Sequence, residues 1–221
     1  MENAPKPEQP KKKRRKWPWI TLGIVIVVIG VPLMLLGSLG TSKPKDLGVH
    51  PTAADLASVQ AKTPLKIQGD AATFSVFGEK TYSGTVPVDN QLTSAELTAW
   101  VQHYTKTDGD ISDVQVKFHE GGMEISAFAK RYISSPIYVD VDVVRTGPNS
   151  AALNVKKGKV GMLSVPEKYL KMFNDYAQDV LNEHLADIPG FSMADLQYHD
   201  GYRVFKGTYP QTVTASTGTW W

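Results

Sequence analysis

Hydrophobic and polar positions change their spacing several times along this chain. The stretch from Trp17 to Leu39, WPWITLGIVIVVIGVPLMLLGSL, has no period, because it is a continuous apolar run of 23 residues without a charge. As a helix it would reach about 34 Å, against a bilayer hydrocarbon core of about 30 Å. The spacing there predicts a membrane span. From residue 63 the apolar residues alternate: Phe74 and Val76, then Tyr82, Gly84, Val86 and Val88, which is the strand period. LTSAELTAWVQHYTK then switches to the helical period, with Leu97, Trp100, Val101 and Tyr104 at i, i+3, i+4 and i+7. Thr93 followed by Glu96 reads as a capping box at its start.

Alternation returns in VQVKFHEGGMEISAFA, which predicts a hairpin turning at Glu120–Gly121–Gly122. In IYVDVDVV the residues Ile137, Val139, Val141 and Val143 share one face, and Asp140 and Asp142 fall on the opposite one, read as solvated. A second hairpin is expected near Lys157–Gly158. Pro166 opens the longest helix of the domain, a position where proline costs nothing. Tyr169, Phe173, Tyr176, Ala177, Val180, Leu181, Leu185 and Ile188 form its broad apolar stripe. Pro189–Gly190 ends it, and a last hairpin follows through FSMADLQYHDGYRVFKGTY.

These elements divide the chain into a disordered basic tail (1–16), a transmembrane signal anchor (17–39), a linker with a short helix (40–63), an α+β domain (64–210) and a flexible tail (211–221). The fold class expected is α+β: a single transmembrane helix, then a curved antiparallel sheet packed on two amphipathic helices. Residues 41–50 read as a short polar connector, and the terminal Trp220–Trp221 as an unstructured end.

Charge sharpens the placement of the first forty residues. They carry seven Lys/Arg and two Glu, whereas residues 41–221 carry 17 Lys/Arg and 20 Asp/Glu. Lys11, Lys12, Lys13, Arg14, Arg15 and Lys16 directly precede the apolar run, and Trp17 and Trp19 sit at its edge. Basic flanks stay cytoplasmic and indole rings settle at the headgroup level. The expected localisation is therefore a single-pass cell-membrane protein with a cytoplasmic N-terminus and an extracytoplasmic domain. A cleaved signal peptide is the rival reading, but its apolar core would be shorter, about 7–15 residues. Gly23, Gly30 and Gly37 recur every seven residues on one helical face, so the span offers a packing surface for a homodimer. The mildly acidic remainder speaks against nucleic-acid binding, which needs clustered cations. With no cysteine in the chain, disulfides, thiolate metal sites and a cysteine nucleophile are excluded.

The domain also contains an internal repeat. Ile111–Gly121 (ISDVQVKFHEG) aligns without a gap to Phe191–Gly201 (FSMADLQYHDG), an offset of 80 residues. Ser112/Ser192, His119/His199 and Gly121/Gly201 are identical, and an amphipathic helix precedes each copy.

The N-terminal anchor, the LTSAEL helix start, VQVKF-HEGG-MEIS and the late IPGF…LQYHDGYRVFKGTYP together resemble small membrane-anchored bacterial extracytoplasmic proteins of the tubular lipid-binding superfamily. That resemblance spans about residues 64–210 and rests on pattern and turn chemistry. It implies a long helix held in a curved sheet, with lipid between them. The groove would be lined by Leu97, Trp100, Val101 and Tyr104 from one helix and Tyr169, Phe173, Tyr176 and Val180 from the other. All eight are equally readable as ordinary core residues.

No catalytic signature stands out. The five histidines include no i, i+4 pair, and His119-Glu120-Gly-Gly lacks the second histidine of a zinc-protease motif. His119 and His199 fall in equivalent turns of the repeat, which explains them without a metal. No cofactor and no enzymatic activity are expected. Two functions follow. One is a membrane-anchored module binding a lipid or other amphiphile, with membrane lipids as partners. The other is a structural or protein-interaction domain of the cell envelope with a filled core and no ligand, docking an envelope protein.

Overall fold

The computed structural model describes residues 43–68, 80–105, 111–130 and 133–215. Its helices are α1 (Ala53–Lys62), α2 (Ser94–Thr105) and α3 (Glu167–Asp187). Its strands are β1 (Lys66–Gln68), β2 (Lys80–Ser83), β3 (Val86–Thr93), β4 (Ile111–His119), β5 (Gly122–Ala129), β6 (Ser135–Gly147), β7 (Ser150–Val160), β8 (Leu163–Ser164), β9 (Ser192–His199), β10 (Tyr202–Tyr209) and β11 (Thr212–Ala215). They form three sheets, ordered β4-β5-β6-β7-β8, β3-β10-β9 and β1-β11-β2. The class is α+β, but the expected single curved sheet wrapped on two helices is corrected: the strands divide among separate sheets, none of them closed or curled, and β1 pairs parallel to β11.

Local chemistry sets the helix starts. Thr52 caps α1 in a reciprocal box with Asp55. At α2 the Thr93 N–H donates to Glu96 at 2.8 Å while the Thr93 hydroxyl accepts from the Glu96 N–H at 3.2 Å. Each box satisfies two backbone donors that a helix start leaves open.

The core lies between the two larger sheets. Val141 and Val143 of β6 pack with Val88, Met193 and Phe205 of the facing sheet, and Leu181 and Leu185 of α3 close one side. A second cluster gathers Val114, Val116, Phe118 and Ala127 beneath Leu97 and Val101 of α2.

Two hairpins occupy equivalent places in this sandwich. Gly121 and Gly201 hold their turns at φ of 81° and 84°, a region glycine enters without steric cost. The Gly121 N–H donates to the Tyr198 carbonyl and the Gly201 N–H to the Phe118 carbonyl, each 80 residues from its counterpart. The Phe118 and Tyr198 rings meet edge-on at 5.7 Å between these bonds. The ladders agree: β5 pairs Gly122 with Asp142 and Ala129 with Ser135, while β10 pairs Tyr202 with Thr93 and Tyr209 with Val86. An approximate two-fold therefore relates the β4-β5 hairpin to the β9-β10 hairpin. Each hairpin takes its third strand from the chain segment that leads into the other half's helix.

The helices close sheet edges with side chains. Along α2, Ser94, Thr98 and Gln102 lie at i, i+4 and i+8 and face the edge strand β4. The Phe118 N–H donates to Ser94 Oγ at 2.9 Å, the Val116 N–H donates to Thr98 Oγ1 at 2.9 Å, and Gln102 Nε2 donates to the Val114 carbonyl at 2.7 Å. The residues 80 positions on play the same part in α3, but against β7. There the Val155, Leu153 and Ala151 N–H groups donate to Asn174 Oδ1, Gln178 Oε1 and Asn182 Oδ1 at 3.1, 3.2 and 2.9 Å. The match is geometric, since four helical residues rise about 6 Å and two strand residues about 6.7 Å. Both long flanks of the five-stranded sheet are sealed in this way.

Two local expectations are revised. No hairpin turns at Lys157–Gly158, because β7 runs on to Val160 with a bulge opposite Asp140/Val141. Gly158 instead lets α3 approach, since a Cβ there would lie 2.9 Å from Leu170 Cδ2. The stretch 43–50 is not a bare connector either. Leu47 and Val49 are buried against Tyr138, and the Leu47 N–H donates to Gln115 Oε1 at 2.7 Å.

Among the described residues no helix is long and apolar enough to cross a membrane. The span expected over 17–39, with its basic flank Lys11–Lys16, Trp17, Trp19 and the glycines Gly23, Gly30 and Gly37, lies outside the described residues. The extracytoplasmic single-pass placement and the homodimer through that helix thus have no helix in the described structure to rest on.

Thr98→Val keeps the shape of a wholly buried side chain but removes both bonds to Val116. It should lower unfolding stability by about 2–4 kcal/mol, from a stranded N–H and C=O. Exposed Asp175→Ala should change it by less than about 0.5 kcal/mol. Urea denaturation of both variants checks the difference.

Candidate interaction surface

The domain offers three candidate regions, the first being the residues expected to line a groove. They do not face one another. Leu97 and Val101 pack into the cluster beneath α2. Trp100 stands edge-on to Tyr104 with ring centres 5.0 Å apart, and burial raises the Tyr104 hydroxyl above its usual range. Tyr169, Phe173, Tyr176 and Val180 belong to α3, which lies along β7 on another side of the sandwich. A lipid groove between the two helices is thereby ruled out as the arrangement of these eight side chains.

Leu97 and Trp100 do border a half-open apolar cleft, together with Val59 of α1, Tyr82 of β2, Tyr209 of β10 and Val213 of β11. It holds about 270 Å³, below the roughly 300–1,000 Å³ of sites that enclose a small ligand. Burial lowers Lys80 and raises Tyr82 on its wall. The stacked rings of Phe191, Phe205 and Tyr209 fill the space behind it, with centres 4.7–6.1 Å apart. This is the open end of a packed core.

The charged clusters are fastenings between elements. Glu96, 4% exposed, accepts from Ser58 and from Lys62 Nζ at 2.6 Å, tying α1 to α2. Burial by itself would raise this carboxyl, but the bonds from Lys62, Ser58 and the Thr93 N–H, with the Lys62 charge, hold it below the ordinary value. Glu124 accepts from the Tyr138 hydroxyl and from Lys45 at 2.9 Å, and the same ammonium sits 4.1 Å from the Tyr138 ring centre. The face of β6 opposite the valines is therefore not solvated throughout: Asp140 is buried and meets His119 Nε2 at 3.1 Å and Lys157 at 3.8 Å, whereas Asp142 stays partly exposed. His199 lies 3.5 Å from Glu120 in the other turn. Among the described residues no group of three or more His, Asp or Glu side chains could hold a metal ion.

The remaining region is the outer face of α3. None of its 21 residues is buried. Asn174, Gln178, Asn182, Leu181 and Leu185 turn inward to β7 and the core. About half a turn around the helix from them are Tyr169, Met172, Phe173, Tyr176 and Val180. Met172, Phe173 and Val180 are 48%, 42% and 40% exposed. A contiguous apolar strip on an otherwise satisfied helix is unusual on a free surface. Periodicity gives the stripe, and the resemblance implied a groove for it; periodicity does not distinguish the core-facing from the outward half of so broad a face. The polar i, i+4, i+8 series at 174, 178 and 182 was the signal that could have separated them.

No protein-family model, curated protein or solved structure matches this chain. The resemblance to the tubular lipid-binding superfamily is accordingly withdrawn, and with it the lipid and membrane partners inferred from it.

Because the Glu96 carboxyl is held low in the folded state, its contribution is complete above the unfolded value of about 4.3 and fades as pH falls through the folded value. Glu96→Gln should cost about 1.5–3 kcal/mol near pH 7. The gap to the parent should narrow steadily below about pH 4. Denaturant titrations from pH 7 to 3 measure it.

Proposed function

We propose that the chain is a protein-interaction domain with a filled core, whose docking surface is the outer face of α3, and that it carries no reaction of its own. One observation carries this reading: α3 is fastened to β7 through its polar series, which leaves Met172, Phe173 and Val180 exposed, with half-buried Tyr169 and Tyr176 on the same face. Spacing identifies the occupant's chemistry. Tyr169, Phe173, Tyr176 and Val180 are separated by four, three and four residues, the a/d pattern of a helix–helix seam. An amphipathic helix with matching apolar positions fits such a strip as one ridge fits a groove.

A photo-crosslinking amino acid at position 173 of the full chain, tested in the cells that make it, addresses this directly. A discrete adduct from position 173, absent when the same group replaces exposed Gln197, is the expected outcome. No adduct from position 173, or the same adducts from both positions, contradicts the reading.

A further inference from the structure

We infer that the helix docked on α3 is a basic one, with apolar side chains against Met172, Phe173 and Val180 and lysines or arginines against Asp179, Glu183 and Asp187. This rests on the reading of α3 as a docking surface and adds the charge of its occupant. The row through Tyr169, Phe173, Tyr176 and Val180 continues by three and then four residues to Glu183 and Asp187. It therefore passes from apolar to acidic without leaving the helix–helix seam. Alongside it, Met172 and Asp179 lie seven residues apart and make the same change. Met172, Phe173, Asp179, Val180, Glu183 and Asp187 are all exposed.

The acids are unfavourable to α3 taken alone. They follow one another at intervals of four residues, where like charges repel. They also stand in the C-terminal half of the helix, where its dipole disfavours anions. Among the described residues none of the three is joined to a cation. The lysines of this helix lie near its start, and Lys171 is tied to Asp175 at 3.3 Å. By themselves the acids would be a solvated flank. As the continuation of an exposed apolar row they set the sign of whatever covers it. A partner that buries Phe173 and Val180 brings cations to the acidic end or meets uncompensated repulsion there. The same charges turn away nucleic acid and an anionic membrane surface. An amphipathic helix with basic flanks satisfies both halves of the row.

The probes are two synthetic helices of about 18 residues, roughly five turns, with identical leucine spacing and either lysine or glutamate at the polar positions. Their binding to the full-length protein is read by fluorescence anisotropy. The lysine peptide should bind at least tenfold tighter than the glutamate peptide at about 50 mM salt, and lose most of that margin at about 500 mM, where exposed charges are screened. Asp179→Asn/Glu183→Gln/Asp187→Asn should weaken the lysine peptide about tenfold, the combined effect of three exposed ion pairs. Asp89→Asn/Glu120→Gln/Asp200→Asn, which removes the same charge from exposed positions elsewhere, should leave its binding unchanged. Both variants should keep the parent's circular-dichroism spectrum.

Equal affinities for the two peptides, or equal losses in the two triple variants, overturn the basic occupant. The photo-crosslinker at position 173 separates that failure from failure of the docking surface. Its adduct should fall at least severalfold when Asp179, Glu183 and Asp187 are neutralised. An adduct of unchanged yield leaves the docking surface standing and removes the basic partner. Absence of any adduct from the parent protein removes both.

Discussion

The exposed edge of a β-sheet is a row of backbone donors and acceptors that must be paired with something. In this protein that need is met by helices instead of further strands. Ser94, Thr98 and Gln102 reach the backbone of β4, while Asn174, Gln178 and Asn182 reach the backbone of β7. A helix that faces an edge with short polar side chains every fourth residue keeps step with alternate strand residues. It gives up an apolar contact face in exchange, which is why α3 contributes only Leu181 and Leu185 to the main core and has no buried residue. The exposure of Met172, Phe173 and Val180 on its other side follows from that choice.

The same constraint shapes the rest of the molecule. The two hairpins meet through the Gly121 and Gly201 N–H groups, with Phe118 and Tyr198 between them. That junction brings the sheets together around Val88, Val141, Val143, Met193 and Phe205. Packed rings and valines fill the space between the layers, and what remains open is a shallow cleft at the α1–α2 end. A domain built this way presents surfaces more than cavities, and the outer strip of α3 exposes Met172, Phe173 and Val180.

Much of this was legible in the residues. The capping box at Thr93/Glu96, the valine face of β6 and the turn at Glu120–Gly121 all depend on neighbours within a few positions, so local pattern reveals them. The offset of 80 residues was visible in ISDVQVKFHEG and FSMADLQYHDG, yet its extension into the helices was hidden. Ser94/Asn174, Thr98/Gln178 and Gln102/Asn182 share chemistry without identity. Long-range closure was not legible either. That Asp140 would be covered, that Leu47 and Val49 would dock on Tyr138, and that β7 would run through Gly158 each depend on a partner distant in sequence. At α3 the stripe of Tyr169, Phe173, Tyr176 and Val180 was legible as helical spacing, and the resemblance, not the spacing, implied a groove for it. Which side of a broad apolar stripe faces inward is decided by the strand it lies on.

Amide hydrogen exchange resolved by residue tests the sealing of the sheet most directly. The Ala151, Leu153 and Val155 amides point away from β6, so as an open edge they would exchange about as fast as loop amides. Bonded to Asn182, Gln178 and Asn174, they should instead be protected to the same degree as the Val116 and Phe118 amides beneath α2, approaching the slowest amides of the β5–β6 ladder. Fast exchange at Ala151, Leu153 and Val155 beside slow exchange in β6 would show that α3 does not close this edge, and the account of its inner and outer faces would fail.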